Sequence, residues 1–171
     1  MTDPAAINTL KALIPRAWYA FLARFGTPTP IQLNGIPAIM DGHPTLLIAP
    51  TASGKTEAYA APIAEMILAG PEPRNLLGWI VSPTRALVND LARRLAPPLT
   101  AMGLSVGRRT GEHREISGPK PPQIVVTTPE SLDSMLARSP ALFLRARFLV
   151  LDEVHMLDAT PRGDQLACLV S

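Results

Sequence analysis

Residues 45–58 read TLLIAPTASGKTEA. Leu46 to Ala49 form an uncharged run short enough for one buried strand, and the alanine-rich stretch after Gly54 carries a helical pattern, so a strand is expected over Thr45–Ala49 and a helix near Lys55–Leu68. Between them, residues 49–56 match a phosphate-binding loop with alanine in place of its first glycine. Such a loop needs small residues so that consecutive backbone N–H groups can curl around phosphate oxygens. The positive end of the following helix then faces the anion. In that arrangement Thr51, Ala52, Ser53 and Gly54 would cradle the phosphates. Lys55 would neutralise the β- and γ-phosphates, and the Thr56 hydroxyl would hold Mg²⁺. The bland alternative is an ordinary strand-to-helix turn, which the small residues between flanking strand and helix patterns disfavour.

Outward from this loop the same rhythm repeats. Short apolar runs predict buried strands at Leu77–Ser82, Gln123–Thr127 and Phe148–Asp152, with a weaker one at Leu104–Gly107; helices are expected near Thr84–Leu95 and Pro129–Ala137. Strands alternating with helices predict an α/β fold with a parallel sheet. Ligands in such sheets bind beyond the carboxyl ends of the strands. Upstream, Asp3-Pro4 opens a helix with apolar positions at Ile7, Leu10 and Ile14. A second helix follows Pro15 and stops at Gly26, and a third, capped at Thr29-Pro30, contains Pro37. Residues 115–122, EISGPKPP, read as a surface loop.

The chain has 171 residues, enough for one domain with a buried core, and its 47% apolar and 18% charged residues suit a globular protein. No apolar run is long enough to cross a bilayer and the N-terminus lacks a signal pattern, so no membrane association and a cytoplasmic location are expected. A single cysteine, Cys168, excludes an internal disulfide and a cysteine-cluster metal site. The net charge of +2 is too small to imply nucleic acid, although arginines outnumber acids between Arg74 and Glu115.

The second chemical cluster is FLVLDEVHML, residues 148–157. Asp152 would emerge at the carboxyl end of a buried strand, where an acid can hold Mg²⁺, usually through water. Glu153 beside it is a candidate base for an attacking water. A carboxylate pair after an apolar strand is weak evidence alone and becomes strong when a phosphate loop precedes it.

APTASGKTEA, SPTRAL and LDEVH, in this order and spacing, resemble motifs I, Ia and II of superfamily 2 helicases, and within them the DExH-type, Lhr-like (large helicase-related) ATP-dependent helicases. FGTPTPIQ, RTGE, VVTTPESL and RGDQL add to the likeness, which covers roughly residues 20–170. The resemblance implies a RecA-like P-loop NTPase domain with a mainly parallel sheet between helices. It divides residues 1–171 into N-terminal helices and an adenine-recognition segment over 1–43 and a phosphate-loop core over 44–171. By the same resemblance Gln32 would read the adenine edge, with Phe25 packing near the ring. Thr84, Arg85, Thr110, Gly111, Thr128, Pro129 and Glu130 would track a nucleic-acid strand. His155 would couple the nucleotide site to the partner domain or to the nucleic-acid site. The implied cofactors are ATP and Mg²⁺. The implied partners are nucleic acid, single-stranded DNA before RNA, and a second RecA-like domain that supplies arginine fingers.

No Ser-Ala-Thr segment of the motif III type occurs in the 171 residues. In the family that strand lies between the phosphate-loop strand and the DEVH strand. The expectation is therefore a first motor domain cut off before motif III, with the phosphate-loop strand short of a neighbour. Such a fragment would have little ATPase activity alone, since losing an arginine finger costs ~10³- to 10⁵-fold in phosphoryl transfer. Two other readings stay open: another kind of phosphate-loop ATPase, and a module that binds nucleotide or nucleic acid without turnover.

Overall fold

The computed structural model describes residues 3–71, 75–111, 121–156 and 163–164. The expected loop over Glu115–Pro122 lies mostly outside them, as do Cys168 and most of RGDQL. The chain divides into two compact units, Met1–Pro71 with Pro98–Gly103, and Glu72–Pro97 with Leu104–Ser171.

The first unit is helical. Helix α1 (Pro4–Leu13) starts where the sequence predicts, with the Asp3 carboxylate accepting from Ala5 N at 2.9 Å and Pro4 in the first turn, where its missing N–H costs nothing. A short α2 (Pro15–Ala17) runs on through a π-turn (Trp18–Leu22) and a 3₁₀ turn (Ala23–Phe25), and Gly26 ends it at φ +78°. Helix α3 (Pro30–Met40) contains Pro37, and α4 (Lys55–Ala69) contains Pro62. Leu10, Ile14, Trp18, Phe21, Leu22, Ile36 and Ile67 are buried here. Helix α3 lies against α4. Gly35 lets Leu47 pack closely on α3: a Cβ there would stand 2.7 Å from Leu47 Cδ2, which would have to shift.

Glu65 on α4, only 6% exposed, accepts from Arg16 N at 3.0 Å and Ala17 N at 2.8 Å. The start of α2 has no side-chain cap of its own, so a buried carboxylate from a distant helix satisfies N–H groups that the helix cannot.

The second unit holds a four-stranded parallel sheet: β1 (Gly78–Val81), β2 (Val106–Arg109), β3 (Ile124–Thr127) and β4 (Phe148–Leu151), in the order β2-β3-β1-β4. β1 and β3 are buried throughout, as the apolar runs predict, whereas β4, also expected to be buried, is only partly so, with Leu149 49% exposed. The weaker strand forms two residues later than expected. Helix α5 (Arg85–Ala101) joins β1 to β2, and α6 (Pro129–Arg138) follows β3. One face of the sheet carries Trp79, Val81 and Val125, packed with Leu76, Leu132 and Met135 and flanked by Leu136, Leu142, Phe143 and Leu151. The Trp79 and Phe143 rings stack at 4.4 Å.

Two expectations are corrected. Helix α5 does not stop near Leu95 but continues through Pro97-Pro98 to Ala101. Two prolines remove the N–H groups that would bond the carbonyls of Arg93 and Arg94. Both arginines are exposed, so water can replace those bonds, while buried Leu95 and Leu99 hold the helix on either side. The strand expected over Thr45–Ala49 does not form. Residues 43–50 have no regular structure, and Leu46 and Ile48 are 73% and 81% exposed. An apolar run becomes a strand only inside a ladder, and among the described residues nothing pairs with this one.

Glu65→Ala should destabilise the chain by about 1.5–3 kcal/mol, because one buried and one part-buried N–H lose a charged acceptor. Chemical denaturation of the two proteins checks this, and a change below about 0.5 kcal/mol would contradict the assigned role.

Candidate functional site

The phosphate loop sits in the first unit. Ala52 at φ +60° and Gly54 at φ +87° are both left-handed, which turns the backbone sharply into α4. A Cβ on Gly54 would overlap the Gln32 amide, so glycine is required by sterics as well as by φ. The Gln32 side chain is 3% exposed and used at both ends. Its Oε1 accepts from Thr29 N at 3.0 Å, completing the cap of α3, and its Nε2 donates to Gly54 O at 3.3 Å. The residue expected to read adenine is thus also a strut between the start of α3 and the loop.

Lys55 Nζ donates to Ala49 O at 2.7 Å and Pro50 O at 3.0 Å, so the lysine is folded back onto its own loop. Ser53 Oγ is buried and has no hydrogen-bond partner among the described residues. An orphaned hydroxyl, a long flexible cation and small left-handed residues are a donor set suited to a polyphosphate with its magnesium ion. Thr56 follows Lys55 in the first turn of α4. Phe25 is exposed, with the Arg24 guanidinium 4.6 Å from its ring centre.

The second unit gathers the remaining candidates along one edge of its sheet. Arg109 pairs with Thr127, Thr127 with Val81, and Val81 with Leu151. The next residue on each strand is therefore Thr110, Thr128, Ser82 and Asp152, side by side at the carboxyl ends. Ser82 N donates to Thr127 O at 2.9 Å and Asp152 N to Val81 O at 2.8 Å, so the ladder holds one step past the strands. Segments distant in sequence are thereby brought to one line. Thr84 Oγ1 accepts from Leu87 N at 3.3 Å and caps α5. Thr128 Oγ1 accepts from Ser131 N at 3.4 Å and caps α6, with Pro129 in the first turn and Glu130 exposed. Gly111 lies against Arg85, whose Nη2 would stand 3.3 Å from a Cβ there. The helix starts, the part-exposed Thr84 and the exposed Arg85 suit contact with a phosphate chain without reading sequence, whereas Thr110 and Thr128 are buried beneath that edge.

Beyond β4, Glu153 takes φ +50°, an uncommon conformation for a carboxylate residue, and its Oε2 lies 3.4 Å from Nδ1 of the exposed His155. The turn closes with Met156 N donating to Glu153 O at 2.9 Å. Sequence pattern does not single out Glu65, Gly35 or Ser82. Only Ser82 carries a signal, its place at the end of an expected strand directly before Pro83.

Against known proteins, the DEAD/DEAH box helicase family matches residues 29–171. The Lhr helicase/probable uracil glycosylase of Mycolicibacterium smegmatis is 37% identical over 90% of this chain and 11% of its own length. ATP-dependent helicase Lhr-Core protein 2 of Thermococcus barophilus is 36% identical over 88% of the chain and 20% of its own. The solved structure of Mycobacterium smegmatis helicase Lhr bound to ssDNA and AMP-PNP superposes with a TM-score of 0.78 at 34% identity, over 89% of this chain and 22% of that one. The RNA helicase Prp28 from Chaetomium thermophilum bound to ADP shares the fold, with a TM-score of 0.79 at 24% identity over 92% of this chain and 41% of that one. The chain spans only a tenth to a fifth of the length of the two Lhr relatives. With a family match over most of its residues and Lhr helicases alike along nine-tenths of it, the chain belongs to the DEAD/DEAH box helicases.

Proposed function

We propose that residues 1–171 are the ATP-binding part of an Lhr-like helicase motor, acting on single-stranded DNA. The observation that carries this reading is the shared carboxyl edge, where Thr110, Thr128, Ser82 and Asp152 follow one another in register. A row that sets proposed strand contacts in line with a carboxylate gives nucleic acid and hydrolysis a common structural base. The Lhr structure with ssDNA and AMP-PNP favours DNA over RNA.

Each residue then has a chemical role. Backbone N–H groups of Thr51, Ala52, Ser53 and Gly54 bind the phosphates, and Lys55 exchanges two carbonyl acceptors for phosphate oxygens. Gln32 links adenine to the loop through Gly54 O, and Phe25 packs by the base. Thr56 in the first unit and Asp152 in the second are each proposed as Mg²⁺ ligands, and the ion would supply charge neutralisation on the phosphate oxygens. Glu153 accepts a proton from, or orients, the water that attacks the γ-phosphate, and His155 holds the Glu153 carboxylate through their contact. Thr84, Arg85, Thr110, Gly111, Thr128, Pro129 and Glu130 contact the nucleic-acid strand. In the parent protein, closure against a second RecA-like domain would turn these events into movement.

Binding of a fluorescent ATP analogue with Mg²⁺ should be saturable for this chain, and Lys55→Ala should weaken it at least ~10-fold, the loss of a charge-assisted contact. Equal binding by the two proteins would sink the assignment of the loop. Arg85→Ala should weaken binding of a single-stranded oligonucleotide and lower its salt slope by about 0.7, one phosphate contact. An unchanged slope would remove Arg85 from the interface, and tighter binding of RNA than of DNA would reverse the choice of strand.

A further inference from the structure

Ser82 is fully buried, at 0% exposure, and its hydroxyl has no hydrogen-bond partner among the described residues. Its backbone N–H is already committed to Thr127 O. A buried hydroxyl without a partner costs stability, and alanine at the same place would avoid that cost. Such a group points to an acceptor that becomes available only in another state of the site.

The sheet narrows the choice of acceptor. Val81 and Leu151 pair in register and both lie on the face that carries Trp79 and Val125. The next residues, Ser82 and Asp152, therefore project from the opposite face, on parallel strands ~4.8 Å apart. On the other flank of Ser82 the Thr128 hydroxyl is engaged in capping α6. The Asp152 carboxylate offers about four lone-pair sites, so it can accept from Ser82 alongside its other partners, and rotation about the serine χ1 redirects the hydroxyl among staggered positions.

We infer that Ser82 is a positioning residue whose hydroxyl donates to the Asp152 carboxylate once the site is loaded, fixing the orientation in which Asp152 meets the Mg²⁺ shell. The inference rests on the role proposed above for Asp152. SPTRAL thereby gains a second role, in which Ser82 holds the hydrolytic carboxylate while Thr84 and Arg85, two and three residues on, touch the strand. Nucleic-acid contact and ion geometry then share one short piece of backbone.

The test compares the whole chain with Ser82→Ala and Ser82→Thr, reading thermal unfolding without ligand and the Mg²⁺ midpoint for binding of the fluorescent ATP analogue. Ser82→Ala should unfold at the same or a higher temperature, yet raise the Mg²⁺ midpoint ~10-fold or more, the usual cost of losing a group that orients a metal ligand. Binding without Mg²⁺ should not change, and Ser82→Thr, which keeps the hydroxyl, should return the midpoint toward the parent value. An unchanged midpoint in Ser82→Ala overturns the inference and leaves the site intact. So does a lower unfolding temperature with equal losses with and without Mg²⁺, which marks a structural role. Binding by the unsubstituted chain that ignores Mg²⁺ overturns the role of Asp152 itself, and this inference with it.

Discussion

The parallel register of the sheet is the constraint on which the second unit depends. Each strand contributes four residues to the ladder, and all four strands end on the same row. Hydrogen bonds one step beyond, from Ser82 N and Asp152 N, carry that alignment into the chemically interesting residues. A slip of one residue in β1 would turn Ser82 to the opposite face and present Pro83, which has no N–H to give, at the row. Helix caps on Thr84 and Thr128 then fix where the backbone turns away from the edge.

The first unit is organised differently, around side chains that serve backbone. Gln32 commits its amide to Thr29 N and Gly54 O, and Glu65 commits its carboxylate to Arg16 N and Ala17 N. Both are almost fully buried, and both tie an irregular turn to a helix some distance away in sequence. The phosphate loop inherits its shape from this frame, since Gly54 can neither gain a Cβ nor lose its left-handed φ without disturbing Gln32.

How far the fold is legible in the sequence follows from the range of each interaction. Caps, proline starts and glycine stops act within a turn, so α1, α3 and the end of the second helix can be read from Asp3-Pro4, Thr29-Pro30 and Gly26. Apolar runs locate β1, β3 and β4 to within a residue, and burial on both faces explains the plain signal of β1 and β3, though not of the partly exposed β4. The same signal misleads at Thr45–Ala49, where strand formation depends on a neighbour that local pattern cannot report. The continuation of α5 past Pro97-Pro98 is hidden likewise, because solvation of two carbonyls outweighs a local rule. The motifs themselves are readable, but the partnership of Gln32 with Gly54 and the orphaned hydroxyl of Ser82 arise only from three-dimensional neighbours.

The central place of β1, flanked by β3 and β4, has a counterpart in the unladdered segment before the phosphate loop. Amide protons leave a protein at rates set by how often their hydrogen bonds open. Those of β1, bonded within the middle of the sheet, belong to the slowest-exchanging class of the molecule. Those near Leu46 and Ile48, exposed and paired in no ladder among the described residues, should exchange ahead of β1. Exchange should therefore be fast along the approach to the phosphate loop and slow again within α4, whose N–H groups bond inside a helix.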